Sequence, residues 1–152
     1  MIQTSGGGPL RPGPLRRLPI TLAPVHNETL GSFLQRLATV NYLSLDTLAD
    51  AVAATRTTVS GTVRRTFNCD NLACVTGQRS DKLVRALPEL RLDSDQLQRR
   101  RTLRACPRCT RRHCGGPVTL CSPAHQQVCV RHSLWLGSLG PGSLATPRPR
   151  TS

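Results

Sequence analysis

The sequence predicts a mainly α fold: a small helix-turn-helix-type helical domain followed by a small zinc-ribbon-like module, with disordered tails at both ends. Three observations carry this expectation. Apolar residues between positions 27 and 53 recur at i, i+3, i+4 and i+7, the period of helices with one buried face. Aromatic side chains are scarce, Phe33, Tyr42, Phe67 and Trp135 being the whole supply in 152 residues, so a large sheet core has little to fill it. The stretch from Ala105 to Gly137 holds Cys106-Pro-Arg-Cys109 and Cys129-Val-Arg-His132, two corners that a metal can staple together where hydrophobic burial is short.

Residues 1–17 contain GGGPLRPGPLRR, with Arg11, Arg16, Arg17 and no acid. Such a run neither propagates a helix nor pairs well in a sheet, and it reads as a disordered basic arm. The helical domain is expected over residues 18–98. Its first helix starts near Asn27 or Glu28 and runs to about Val40, with Leu30, Phe33, Leu34 and Leu37 inward and Asn27 as cap. Ser44 caps a second helix that buries Leu45, Leu48, Ala49 and Val52. Helix is expected to resume around Thr58 to Thr66, with Val59, Val63 and Phe67 inward. Asn68-Cys69-Asp70-Asn71 then reads as a turn and cap for a short helix, Leu72 to Thr76. Gly77 breaks the chain, Ser80 caps a helix from Asp81 to Leu87, and Pro88 limits it.

Two small–turn–apolar spacings fit a helix-turn-helix unit: Ala73, Gly77 and Leu83, and less well Ala49, Ala53 and Val59. In the first, the second helix offers Arg79, Lys82 and Arg85 to a groove or to phosphates. The run RLDSDQLQRRRTLR follows from Arg91 to Arg104. It reads as a linker or as an extended strand entering the metal module, and Arg99, Arg100, Arg101 and Arg104 would supply salt-sensitive affinity for phosphates.

The net charge is +13, and only Lys82 among the 21 basic residues is not arginine. Arginine presents a planar fork suited to phosphates and to guanine edges, so a polyanion, DNA first, is the expected partner. The charge is uneven. Residues 56–104 hold eleven basic and five acidic residues, a net of +6, and residues 105–132 hold four basic and none acidic, a net of +4. The hairpin of helices before them carries Glu28, Asp46 and Asp50. DNA contact is therefore expected in the middle and metal-binding parts.

The zinc module is placed at residues 99–137. Nineteen residues separate the two corners, and each corner sets two ligands in one tight turn, so Cys106, Cys109, Cys129 and His132 are the expected Zn2+ ligands. Cys114, Cys121, His113 and His125 lie in the intervening loop and leave a different foursome open. Disulfides are disfavoured, because the cysteine count is seven and no export signal is visible. No apolar run is long enough to span a bilayer, and a cytoplasmic protein without membrane contact is expected. An enzyme is not expected: a shell with four protein ligands leaves no open position, and residues 105–152 contain no Asp or Glu. The tail over residues 138–152 is rich in Gly, Pro, Ser and Thr and reads as disordered. Trp135 and Leu136 are expected to cover the small apolar face of the zinc unit.

The order LPITLAPVHNETLGSFLQRLATVNYLSLDTLADAV, then LACVTGQRSDKLVRALPEL, then ACPRC and CVRHSLWLG resembles the TniQ family, accessory proteins of transposons and of transposon-associated CRISPR systems. The likeness covers about residues 18–137. It implies an N-terminal helix-turn-helix region followed by zinc-binding segments, with Cys106, Cys109, Cys129 and His132 in ligand positions. It also implies a non-enzymatic role in assembling a transposition complex or selecting its target, beside a transposase and an AAA-type ATPase. Longer members continue with another cysteine pair, so the likeness is to a short form lacking the C-terminal part. Two other readings use the same residues: a stand-alone helix-turn-helix transcription regulator, and a protein–protein adaptor without direct DNA contact.

Overall fold

The computed structural model describes residues 14–137; the expectations for residues 1–13 and for the tail from 138 onward lie outside them. Five α-helices, a 3-10 turn and six strands follow in the order α1 (Leu30–Val40), α2 (Leu45–Val52), β1 (Ala53–Val59), β2 (Thr62–Phe67), α3 (Cys69–Thr76), α4 (Ser80–Ala86), the 3-10 turn Pro88–Leu90, α5 (Ser94–Gln98), β3 (Arg100–Arg104), β4 (Thr119–Pro123), β5 (Val128–Cys129) and β6 (Leu134–Trp135). With 34% helix, 23% strand and three two-stranded antiparallel sheets among the described residues, the fold is mixed α/β, which corrects the mainly α expectation.

The buried faces expected for α1 and α2 hold, except that Leu45, expected inward, is exposed at the start of α2. Leu30, Phe33, Leu34, Leu37 and Ala38 of α1 meet Leu48, Ala49 and Val52 of α2, Leu72 and Val75 of α3, and Leu83 and Leu87 in and just after α4 in one apolar cluster. Ser44 caps α2 by accepting from the Thr47 N–H, and Asn68 caps α3 by accepting from the Asn71 N–H. Gly77 ends α3 in the left-handed conformation, φ 63°. Leu15 and Leu18 pack onto the cluster, and the Leu18 N–H donates to the Val75 carbonyl at 2.9 Å.

The stretch expected to resume helix is instead an antiparallel hairpin. Thr55, Thr57, Thr58, Val59, Thr62, Val63 and Thr66 are β-branched and lose rotamer freedom in a helix. Ser60 and Gly61, at φ 49° and 77°, form the two-residue turn between Val59 and Thr62, a conformation that matches strand twist. This also removes the weaker of the two helix-turn-helix spacings, since Ala53 and Val59 bound β1. Of the hairpin's residues only Phe67, at the end of β2, packs against the core cluster. It is held to α2 by Arg65, whose guanidinium reaches Asp50 at 2.6 Å and Asp46 at 3.1 Å, with Arg56 3.4 Å from Asp50. Hydrogen bonding from Arg65 lowers the Asp50 pKa and raises that of Arg65 itself.

Helix α1 starts at Leu30, capped by Thr29 rather than by Asn27. The reason is that residues 27–29 run alongside β4. The Thr29 N–H donates to the Thr119 carbonyl at 2.9 Å, and the Cys121 N–H donates to the Asn27 carbonyl at 2.8 Å. Beneath this seam lies an ion pair that the sequence does not announce. Glu28 and Arg36 have side chains 0% and 1% exposed. Arg36 donates through Nε to Glu28 Oε1 and through Nη2 to Oε2, both at 2.8 Å. The carboxylate also accepts from the Val25 N–H and the Ser32 hydroxyl, each at 2.9 Å. Arg36 Nη1 donates to the Cys114 carbonyl at 3.0 Å, in the loop between β3 and β4.

Gly115 closes the roof over this pair. At φ 94° a Cβ there would stand 2.6 Å from the Arg36 carbonyl oxygen, so only glycine lets the loop come so near. Removing one partner of a fully buried, hydrogen-bonded pair strands the other charge, at a cost of about 3–5 kcal/mol. Glu28→Gln and Arg36→Met should each lower the urea midpoint accordingly, and the double variant should be less destabilised than either single one. Single variants within about 1 kcal/mol of the parent would refute this.

Candidate metal centre

The last third of the described chain has little apolar material. Its cluster consists of buried Leu103, Cys106 and Leu136, with Cys129 and Leu134 packed against them. Strands β3 and β4 pair from Arg100 opposite Pro123 to Arg104 opposite Thr119, and the Ala105 N–H extends the ladder to the Val118 carbonyl. The chain leaving β3 turns at once through Cys106-Pro-Arg-Cys109. The backbone N–H and the hydroxyl of Thr110 both donate to the Cys106 carbonyl at 3.1 Å, which closes that turn. The second corner is the loop of the β5–β6 hairpin, where Val128 faces Trp135, Cys129 faces Leu134, and the His132 N–H donates to the Cys129 carbonyl at 3.3 Å.

The two corners meet. The sulfur atoms of Cys106, Cys109 and Cys129 and a ring nitrogen of His132 all lie within 4.8 Å of one another, a group that could hold a metal ion. Cys109 Sγ is 3.6 Å from Cys129 Sγ. The His132 Nδ1 is 3.5 Å from Cys106 Sγ, 3.2 Å from Cys109 Sγ and 3.6 Å from Cys129 Sγ. A tetrahedral shell with metal–sulfur bonds of about 2.3 Å and metal–nitrogen bonds of about 2.0 Å has edges of about 3.8 Å and about 3.5 Å. The donor set therefore fits a tetrahedral ion in both kind and spacing. Cys114, Cys121, His113 and His125, which the sequence leaves open as ligands, stand outside the group. Cys121 is buried on β4, and burial first, with Glu89 adding to it, raises its pKa.

Without a metal the crowded thiols titrate unequally. The hydrogen bond with Cys129, then burial and the nearby Cys106, push Cys109 up to about 11. Burial would raise Cys129 as well, but the backbone N–H and the ring of His132 outweigh it and bring Cys129 down to about 7.

The arginines singled out in the sequence are spread over several elements. Arg79 and Arg85 flank Asp81, at 3.0 Å and 3.9 Å, and Lys82 is exposed on α4 between them. The basic run is divided by the fold: Arg99 ends α5, while Arg100 and Arg104 lie on the opposite face of β3 from Arg101. Arg100 is half-buried and points Nη1 at the Cys121 carbonyl, 3.5 Å away. Helix α5, absent from the sequence expectation, is set by a capping box between Asp93 and Gln96. Leu136 covers the small cluster as expected, but Trp135 turns away from it and is 60% exposed. Among the described residues no helix is long and apolar enough to cross a membrane.

The TniQ family model matches residues 19–136, a span that takes in the helical cluster, the Glu28–Arg36 pair and both cysteine corners. Searches of curated proteins and of solved structures returned no match.

Two outcomes follow for the metal group. Cys106→Ser and His132→Ala should each abolish metal retention, measured as metal per chain after gel filtration. Metal binding must also release the thiol protons. Between pH 7 and 11 Cys109 should contribute about a tenfold rise in apparent affinity per pH unit, and below pH 7, where Cys129 also holds its proton, Cys129 should add a further factor of about ten per unit. Competition against a chelating dye over a pH series reads this directly, and a flat profile would exclude ligation by these thiolates.

Proposed function

This chain belongs to the TniQ family, and from that premise we propose that it is a zinc-containing, non-enzymatic accessory protein that associates with DNA and helps a transposition complex assemble or select its target. Membership makes it a transposition-associated protein; the metal, the DNA contact and the task are our reading. One observation carries that reading: the four-ligand group holds together an arginine-rich segment that contains no acid. From Gln96 to Gly137 the chain has eight arginines (Arg99, Arg100, Arg101, Arg104, Arg108, Arg111, Arg112 and Arg131) and no Asp or Glu. Three thiolates and an imidazole at tetrahedral spacing favour zinc over the hard cations that take oxygen ligands. Zinc held this way is structural. It supplies the folding energy that Leu103, Leu134 and Leu136 cannot supply alone.

The basic segment then acts on DNA through phosphates. Arg99, Arg101 and Arg104 are exposed, and with Arg100 they supply charge without reading sequence. Helix α4 is the second candidate contact, through Arg79, Lys82 and Arg85, in the role of a recognition helix after the Gly77 turn. Asp81 lies between its two arginines and offsets part of that charge, so the segment from Gln96 onward is the stronger one. A loose, sequence-tolerant grip suits a protein that works beside a transposase and an AAA-type ATPase. A stand-alone transcription regulator would need strong preference for a defined site.

A salt series tests this on the full, zinc-loaded chain. Arg99→Ala, Arg100→Ala and Arg101→Ala combined should weaken binding to specific and random duplexes alike. The slope of log K against log salt should flatten by about 0.9 for each phosphate that is no longer neutralised. An unchanged slope, with metal content intact, would remove DNA contact from this surface.

A further inference from the structure

The short β5–β6 hairpin has two unlike faces. Cys129 and Leu134 turn inward, and Leu134 and Leu136 pack with Leu103 and Cys106. The alternation of a strand then sends their neighbours Val128 and Trp135, which oppose each other across the hairpin, to the other side. There they stay exposed, Trp135 by 60% and Val128 by 41%, with Val130 in the connecting loop 90% exposed. An indole on a strand beside a metal corner contributes nothing to the core from that position. It is also held firmly: Cys129 and His132 belong to the ligand group, and the Leu136 N–H is fastened to the Gln127 carbonyl at 2.7 Å.

The charge carried by the segment that builds this apolar face is of one sign. Arg131 lies in the same loop, exposed, and Arg108 is exposed within the facing Cys106–Cys109 corner, whose Cys109 Sγ is 3.6 Å from Cys129 Sγ. No acid occurs anywhere from Gln96 to Gly137. We propose that Trp135, with Val128 and Val130 of the same hairpin and with Arg108 and Arg131 of the two ligand corners, is a stacking platform for the bases of an unpaired nucleic-acid strand.

A partner carrying both aromatic faces and dense negative charge is what this surface lacks, and a single strand has both. A protein partner would have to be strongly acidic as well as apolar. Duplex DNA presents phosphates to the arginines but keeps its bases stacked inside, so the indole gains nothing from it. The platform rests on the DNA-associated reading above and narrows it: at least one contact is made to strand that has been opened or was never paired. Stacking on one aromatic ring is sequence-tolerant, because every base has a π-face.

Trp135 is the only tryptophan, so its emission reports on this surface alone. Four measurements on the full zinc-loaded chain decide the matter. In free protein, acrylamide should quench the emission readily; a shielded indole would mean that the chain's own remaining residues or a second copy cover it, and would overturn the proposal. Adding an oligothymidylate strand should quench the emission, whereas a duplex should leave it nearly unchanged. Trp135→Ala should weaken the strand's binding, followed by anisotropy of labelled oligothymidylate, by about 5- to 150-fold. Trp135→Phe should keep most of it, which separates loss of stacking from loss of fold, with metal content as a second check. Binding of strand and duplex with equal affinity and unaltered emission would leave the DNA reading standing and remove the platform. Binding to neither would remove both.

Discussion

The Glu28–Arg36 pair is the constraint that the two halves of this protein share. Both charges are taken wholly out of water, which is costly unless every donor and acceptor is matched. Here every side-chain nitrogen and oxygen of the pair has a partner: two hydrogen bonds join the side chains, Val25 and Ser32 complete the carboxylate, and the Ala23 and Cys114 carbonyls each take one further guanidinium N–H. Among the described residues no buried side-chain nitrogen or oxygen is left without a partner. Such pairs are weak sources of net stability but demand one geometry. Sliding β4 by one residue along the 27–29 segment would break the Thr119 and Cys121 bonds and remove the Cys114 carbonyl from Arg36. The pair therefore selects the register in which the metal-binding third sits against α1.

Around this constraint the protein solves the problem of burial twice, by different means. The helical cluster draws on four helices and twelve buried side chains, with partly buried Leu15, Leu18, Leu22 and Phe67 closing its margins. The metal-binding third has a cluster of three buried residues and strands as short as two, too little to order itself by hydrophobic burial. An ion on the four ligands, as proposed above, would replace that missing burial. The four side chains come from the turn after β3 and from the β5–β6 loop, so a single ion there would fix both ends of the module. Economy of apolar residues also frees the outer surface for arginine, since little of it is needed to cover a core.

How much of this is legible in the residues follows from what each feature buries. The α1 and α2 faces repeat every three or four positions because they line one cluster, and their period is visible in the text. The ligand group is visible for a different reason: cysteine and histidine at paired corner spacing have few other uses. The β1–β2 hairpin passes for helix because it buries almost nothing. Every residue of β1 after Ala53 is exposed, and the half-covered face of β2 is Val63, Arg65 and Phe67, so an arginine interrupts the apolar alternation that would mark a strand. The Ser60-Gly61 turn among β-branched residues is the available sign. Glu28 reads as an acid in a first helical turn, since nothing local tells a surface carboxylate from one roofed by a loop far along the chain. Gly115, beside Gly116, reads as loop filler until its approach to Arg36 gives it a reason. Size alone sends Trp135 inward, but strand alternation next to an inward Leu134 requires the opposite.

The separation in sequence between the parts of this seam has a bearing on how the protein comes into being. The hydrogen bond from Arg36 to the Cys114 carbonyl joins residues 78 positions apart. Synthesis proceeds from the N-terminus, so α1 leaves the ribosome with its charged pair uncovered and must wait for most of the remaining chain before the roof arrives. Until then the Arg36 guanidinium lacks the Cys114 carbonyl as a partner. The roof around Gly115 and the second corner, Cys129 and His132, thus leave the ribosome after the first corner, and the four-ligand group is complete only then.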